Sequence, residues 1–596
     1  MKKVNVIYTP TGNLEEFRIA AKQAKELGAT HVMAGQMPRS RWMWEEDLSN
    51  PYVNWSMGQA QIFKLKCPPQ LEPYLPKAHI EECFRLFRAR CEILKELGLK
   101  PALFSNEPFW LPEQVYRDHP TWRGARCDHP RRSRCAYYSP CIENPEVLAM
   151  YRWAISEICR ETGLDYINFK TNDCGGGLSF SSGTYSGPNG ASRYRNCSMT
   201  DQVCGFLRAI SEGAKDGGVS EPVIHFSSDL ELKEPEYSVN AAIVGLQENQ
   251  IINHRDRHGD KVMKVVGGTG LTETVIPGLP KNFSLVSAID RLYHATEPVK
   301  ILRLSRTDLN DAYLIFRSYL KLQPENYAQQ CAVLLDAAKA AVGEEGAGLL
   351  LDIWKELEEA QEHIAHTGLD LIQYGCQHQR WINRPFVLFP DRLKEEEKSY
   401  YRRFQFQAQD EAHAEDLMDL QGIEGVRGFT AVFMLTEITR KAIASLQSTQ
   451  SDLDRLIEVC EKQAPDASVV EKLSLLRRRV AVYECFVRNM ENACRFQELV
   501  DRTDKEAVPV CSLRWPTRSD HRAEEFQEIT RNEIDNAYAL ADLCEGHMEE
   551  LFACAAPEQE DIFTFSTELP KQLRKKAEIM LDHMIDGGRV FETNNI

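Results

Sequence analysis

The chain holds 596 residues, 43% hydrophobic and 27% charged, a balance that suits a globular protein of more than one domain. Its formal net charge of −17 excludes a general nucleic-acid or anionic-membrane binder, whose phosphate contacts need clustered Lys and Arg. No apolar run approaches the length that spans a bilayer.

The opening stretch MKKVNVIYTP has two lysines but no apolar core behind them, so it reads as a first strand rather than a signal peptide. Three segments then share one grammar: AAKQAKELGATHVMAGQ, RCEILKELGLKPALFSNE and AISEICRETGLDYINFKTND. Each is a helix, a glycine stop, a short apolar strand and a polar tip. Ahead of the second strand tip, Ile80, Phe84, Phe87, Cys91 and Leu94 step by four and three, which predicts one apolar helix face. Gly28, Gly98 and Gly163 stand where a helix end wants a left-handed residue. AISEGAKDGGVSEPVIHFSSD is a looser fourth copy.

Helix and strand alternating in this way mean parallel strands with right-handed crossovers. The strand candidates in order are VNVIY, THVMAG, PALFSN, DYINFKT, PVIHFSS, AAIVGL, MKVVGG and VKILRL. The expected class is α/β: a (β/α)8 TIM barrel over residues 1–308, followed by an all-α C-terminal domain over 309–596 packed on it. A dinucleotide fold loses its support, since no G-x-G-x-x-G follows the first strand. From DAYLIFRSYL onward the pattern is helical, with Leu473, Leu476, Val480, Tyr483, Val487 and Met490 forming a packing seam.

Eighteen cysteines are scattered through both halves, some on apolar helix faces (Cys83, Cys91, Cys485), which suits a reducing compartment. The expected location is cytoplasmic, or periplasmic or secreted if a leader has been removed. In RCDHPRRSRCAYYSPC, Cys127, His129, Cys135 and Cys141 lack the close cysteine pairs of a zinc site. No metal and no cofactor are expected.

In such barrels the working groups lie at the C-terminal strand ends and in the loops that follow. Those ends supply Gln36, Glu107, Asp173, Asp229, Glu248 and Glu273, then Arg303 and Arg306: an acidic rim with a basic final strand. The loop after strand two carries Trp42, Trp44, Tyr52 and Trp55, and the loop after strand three carries Phe109, Trp110 and Trp122. Aromatic faces beside carboxylates and arginines are the furniture of a sugar site. Glycoside cleavage needs two carboxyl groups across the bond, one as acid and one as nucleophile or base. Asp173 is the first candidate, flanked by Asn172 and by glycines that leave room for a ligand. Its partner is Glu107, Glu248 or Glu273, with Asn106, Trp110, Trp44, Asp229, Arg303 and Arg306 as substrate contacts. Arg303, Arg306 and Arg384 would suit an acidic sugar such as a uronate. In the helical half, YGCQHQRWINRPFVLFP crowds His378, Arg380, Trp381, Asn383 and Arg384 together, as for binding a substrate carboxylate or hydroxyls; a structural Trp–Arg stack is the alternative.

FKTND resembles the strand-four Asn-acid ending of many retaining barrel glycosidases, where the acid is Glu, the acid/base, and the nucleophile stands on strand seven. Here the acid is Asp173, and strand seven offers Glu273 in GGTGLTET. The motifs NEPFW, TNDCGGG with YSGPNG, and HQRWINRP, together with the order of the two halves, resemble bacterial barrel proteins allied to the glycoside hydrolases. Those with a helical C-terminal domain, such as the α-glucuronidases and O-GlcNAc-type hexosaminidases, are the nearest in architecture. The resemblance implies a hydrolase of carbohydrate, acting on an acidic or N-acetylated sugar. Two rivals stay open: a metal-dependent barrel lyase or isomerase using Asp173, Asp229, Glu248 and His225, and a carbohydrate-binding protein without hydrolysis. The expected partner is a carbohydrate, with neither nucleic acid nor membrane; homo-oligomerisation is left open.

Overall fold

The computed structural model describes residues 4–8, 13–35, 61–108, 110–126, 137–170, 198–226, 242–243, 246, 251–253, 263–266, 276, 278–297, 299–303, 309–367, 381–404, 429–463, 467–501, 522–552, 554 and 565–587. These residues are mostly helical and fall into two compact units. No helix among them is long and apolar enough to cross a membrane.

The first unit comprises Met1–Gly268, Ser287–Leu309 and Ala408–Asp410. Its strands are β1 (Val4–Tyr8), β2 (His31–Met33), β3 (Lys100–Asn106), β4 (Arg123–Arg126), β5 (Tyr138–Pro140), β6 (Tyr166–Lys170), β7 (Val223–Phe226), β8 (Ile251–Asn253), β9 (Met263–Val266) and β10 (Val299–Arg303). All but β4 and β5, which form their own antiparallel pair, join one parallel sheet in the order β8-β7-β6-β3-β2-β1-β10-β9. The sheet curls into a half-barrel. No pairing of β8 with β9 occurs among the described residues, so the expected closed barrel is not shown by the strand pairs.

The repeated sequence grammar forms as read. Asn13, Asn144 and Ser198 each accept a backbone N–H in the first turn of a helix. The helices preceding β2, β3 and β6 are followed by Gly28, Gly98 and Gly163 at φ +81°, +70° and +69°, a region that a Cβ penalises. On the helix Lys77–Glu96 all five stripe residues, from Ile80 to Leu94, are buried. Side chains of Val6, Met33, Ala102, Tyr166, Val223, Val299 and Ile301 meet in one buried cluster. Each such large apolar side chain contributes roughly 1.5–3 kcal/mol by leaving water.

The sixth strand differs from expectation. Within AAIVGL the described residues are not extended: Ala242 and Ile243 are helical, and the Leu246 N–H donates to the Ile243 carbonyl. The strand that pairs with β7 is Ile251–Asn253, with Ile224 opposite Ile251. A short apolar run does not by itself separate strand from buried helix.

The N-terminal ends of the strands are pinned by Asp165, which sits 2.7 Å from His31 Nε2 and accepts from Lys100 Nζ at 2.5 Å. In barrel-like sheets this end carries stability and the opposite end carries chemistry.

The second unit comprises Thr269–Val286, Asn310–Gln407 and Glu411–Ile596. Its long helices are Tyr327–Ala365, Phe429–Lys462, Ala467–Asp501, Arg522–Cys544 and Leu569–His583, each packed on the next. The expected seam on Ala467–Asp501 is buried at Leu473, Val480, Tyr483, Val487 and Met490, while Leu476 is half-buried. Cysteines behave as small hydrophobes: those described are all free thiols, and burial pushes Cys159 and Cys485 up to about 12.

Candidate active site

Glu107 is the described strand-tip carboxylate, one residue past the C-terminal end of β3. It is only 2% exposed, so its carboxylate must find its hydrogen bonds inside the protein. Oε1 accepts from the Ile62 backbone N–H at 2.7 Å and from Ser105 Oγ at 2.9 Å, and Oε2 accepts from Tyr151 OH at 2.9 Å. Three donors aimed at two oxygens suit a carboxylate rather than a carboxylic acid. Tyr151 is held in turn by the ring of Phe63, stacked at 4.3 Å between centroids.

A buried cation stands close by. Lys64 is fully buried, and the loss of water pushes its ammonium well below its ordinary range; Cys83 and Glu107 pull it back up. Lys64 in turn helps depress its neighbours. His79 is pushed down to about 4, first by burial and then by the Lys64 charge, with Glu82 opposing. Its Nε2 lies 3.4 Å from Cys83 Sγ, and burial lifts that thiol to about 11. Charges of both signs in a water-poor place mark a candidate functional site.

A pH dependence follows from His79. With a folded-state value near 4 against an ordinary 6.5, the native chain binds fewer protons than the unfolded chain within that window. Stability therefore falls as pH is lowered through it. Thermal scans from about pH 7 to about pH 5 should show a declining Tm, with a shallower decline in His79→Phe. An equal slope in the variant would contradict the assignment.

The other expected residues divide into three groups. Asp173, Glu273, Glu248, Asn172, Trp44, Asp229, Arg306, His378 and Arg380 lie outside the described residues, as do Cys127, His129 and Cys135. For Glu248 the strand-tip argument lapses, because β8 begins after it, at Ile251. Arg303 ends β10, with its side chain outside the described set. Near the β3 end, Asn106 is buried, and Trp110 is 2% exposed with its ring 5.4 Å from that of Tyr137. Trp110 is thus packed in the interior instead of presenting a face for stacking. His225 sits buried within β7, its Nδ1 3.1 Å from Tyr166 OH.

Of the HQRWINRP segment, the residues from Trp381 onward fall among those described. Trp381, Asn383 and Arg384 are all buried inside the second unit. Lys576 Nζ donates to the carbonyls of Trp381 and Ile382 at 2.8 and 2.9 Å, and Asn489 Nδ2 also donates to Trp381 O. Asn383 donates to Gln572 Oε1, and the Arg384 guanidinium lies 5.5 Å from the Tyr401 ring centre. These contacts tie Trp381, Ile382, Asn383 and Arg384 into the core of the helical unit.

Sequence reading missed Lys64, Tyr151, Ser105 and Gln61. One signal was available: a lysine inside the apolar run Ile62-Phe63-Lys64-Leu65 needs a partner if that run is buried.

No protein-family model matches the chain, and no curated protein matches it. Solved structures do. A GH138 enzyme targeting pectin rhamnogalacturonan II is similar over 98% of this chain at 9% identity and a TM-score of 0.48; the chain spans 66% of that enzyme, just under two thirds. The pneumococcal exo-β-D-N-acetylglucosaminidase StrH, with tandem GH20 catalytic modules, is similar over 57% of this chain and 92% of its own at 13% identity and a TM-score of 0.26. The α-galactosidase from Lactobacillus brevis is similar over 54% and 41%, at 12% identity and a TM-score of 0.27. All three are glycoside hydrolases. Likeness at this level carries no argument about activity, which has to rest on the residues.

Proposed function

We propose that the chain is a glycoside hydrolase whose carboxyl pair is Asp173 with Glu107 or Glu273. The observation that carries this reading is a strand register. Asn106 pairs with Lys170 across β3 and β6, so these two strands end side by side; Glu107 follows one, and in sequence Asp173 lies three residues beyond the other. That end is where parallel barrels keep their chemistry. Glu107, clamped by three donors, fits the ionised member of a pair, the nucleophile or base; Asp173 is then the proton donor. With Glu273 as partner, Glu107 would instead brace the β3 end.

The strand order supports a full (β/α)8 barrel as the setting. The two edge strands, β8 and β9, are consecutive in the chain, the arrangement that closure through one remaining seam would give. The substrate in this reading is a glycoside of an acidic or N-acetylated sugar. A screen of chromogenic glycosides, including glucuronides and N-acetylhexosaminides, tests it on the full-length protein. Release of the chromophore that continues in a chelator is the expected result; release abolished by chelator, or none across the panel, would overturn it.

A further inference from the structure

Two buried amides beside Glu107 have polar atoms with nothing to bind. Gln61 is 2% exposed, and both its Nε2 and Oε1 lack a hydrogen-bond partner among the described residues. Asn106 is also 2% exposed, and its Oδ1 lacks one too. Gln61 precedes the residue whose N–H donates to Glu107, and Asn106 precedes Glu107 itself. The two amides therefore flank a single 2.7 Å hydrogen bond. Glu107 accepts from Ile62, Ser105 and Tyr151, and Gln61 is not among its donors.

Buried polar atoms are nearly always paired, because leaving one dry forfeits the bonds it made to water. A folded chain that keeps unpaired amides on the two residues preceding the partners of this bond, at the C-terminal end of a parallel sheet, has reserved them for something that binds there. We propose that Gln61 and Asn106 form a hydroxyl-binding subsite for a polyhydroxylated ligand, with Gln61 the residue that sets specificity. A carboxamide offers a donor and an acceptor side by side. Vicinal hydroxyls need that combination, since each hydroxyl both donates and accepts. The Gln61 N–H would donate to one hydroxyl oxygen and its carbonyl would accept from the next, leaving Asn106 Oδ1 to accept a third. Neutral amides next to the Glu107 carboxylate favour the hydroxyl-bearing edge of a sugar over an anionic group.

This inference rests on reading the β3 end as part of a sugar site, but it concerns binding and does not require hydrolysis. The test is thermal unfolding of the full-length wild type and Gln61→Leu, each alone and with glucuronic acid, galacturonic acid or N-acetylglucosamine. Without sugar, Gln61→Leu should unfold at the wild-type temperature or above it, because an unpaired buried amide has been replaced by an apolar group of similar size. With sugar, at least one probe should raise the wild-type Tm, and the variant should bind that probe about tenfold or more weakly. A variant that unfolds several degrees lower without sugar would show Gln61 to be satisfied internally and would overturn the proposal. So would an unchanged sugar-induced shift in the variant, or a wild type that responds to no probe. Turnover of the matching chromogenic glycosides is read separately. A wild type that binds sugar through Gln61 yet cleaves nothing would remove the hydrolase reading and leave the subsite in place.

Discussion

Replacing Glu533 by leucine is expected to destabilise the helical unit by about 3–5 kcal/mol, because it strands a buried charge. Lys576 is fully buried; lost hydration pushes its ammonium down, and Glu533 counters that by pulling it up. Glu533 also accepts from Asn489 Nδ2 at 2.6 Å and Asn492 Nδ2 at 2.9 Å, so its loss removes the Asn492 acceptor and leaves Asn489 with its bond to the Trp381 carbonyl alone. Lys576 would keep its bonds to the Trp381 and Ile382 carbonyls but would have no counter-charge. Urea unfolding followed by far-UV circular dichroism measures the effect. The double variant Glu533→Leu with Lys576→Met should recover much of the loss, since an apolar pair of similar volume can replace a buried ion pair. A single variant within about 1 kcal/mol of wild type would show that the network is not coupled.

Glu107 should show the second large effect. Glu107→Leu removes the acceptor for the Ile62 N–H, Ser105 Oγ and Tyr151 OH, and withdraws the charge that offsets burial of Lys64. A loss of about 3–5 kcal/mol follows from uncompensated burial of that kind. Glu107→Gln retains one acceptor oxygen and should lose less, and its deficit should depend on pH. Lys64 already sits below its ordinary 10.5 in the folded state, so the native chain binds fewer protons than the unfolded chain and stability rises with pH. Removing the Glu107 charge widens that gap. The Gln variant should therefore gain on wild type as pH rises through the lowered folded-state range of Lys64, and the gain should stop well below the ordinary lysine value, where Lys64 is neutral in both folded chains. A deficit independent of pH would mean that Lys64 draws no support from Glu107.

Much of the first unit was legible because each repeat carries its own local signals. The stripe from Ile80 to Leu94 fixed a helix face, and Gly98 marked the turn into β3. The sixth strand was not legible, since AAIVGL and Ile251–Asn253 are both short and apolar, and only pairing with β7 distinguishes them. HQRWINRP is ambiguous in sequence for a different reason. A Trp, an Arg and an Asn close in sequence look the same whether they await a substrate or tie a core together. What decides is Lys576, nearly two hundred positions away, whose place opposite Trp381 no local pattern contains. The β3 end was half legible. Asn106 and Glu107 were visible as a strand tip, whereas Gln61 and Lys64 reach it from a segment with no strand of its own.

The claim that the paired carboxylates perform the chemistry stands or falls on Asp173. The deciding measurement is the rate at which wild type and Asp173→Ala cleave whichever chromogenic glycoside the wild type turns over best, with Tm confirming that both are folded. The expected result is a fall in kcat of about 10²–10⁴-fold, the usual loss when a positioned proton donor is removed. Wild-type turnover in Asp173→Ala would contradict it.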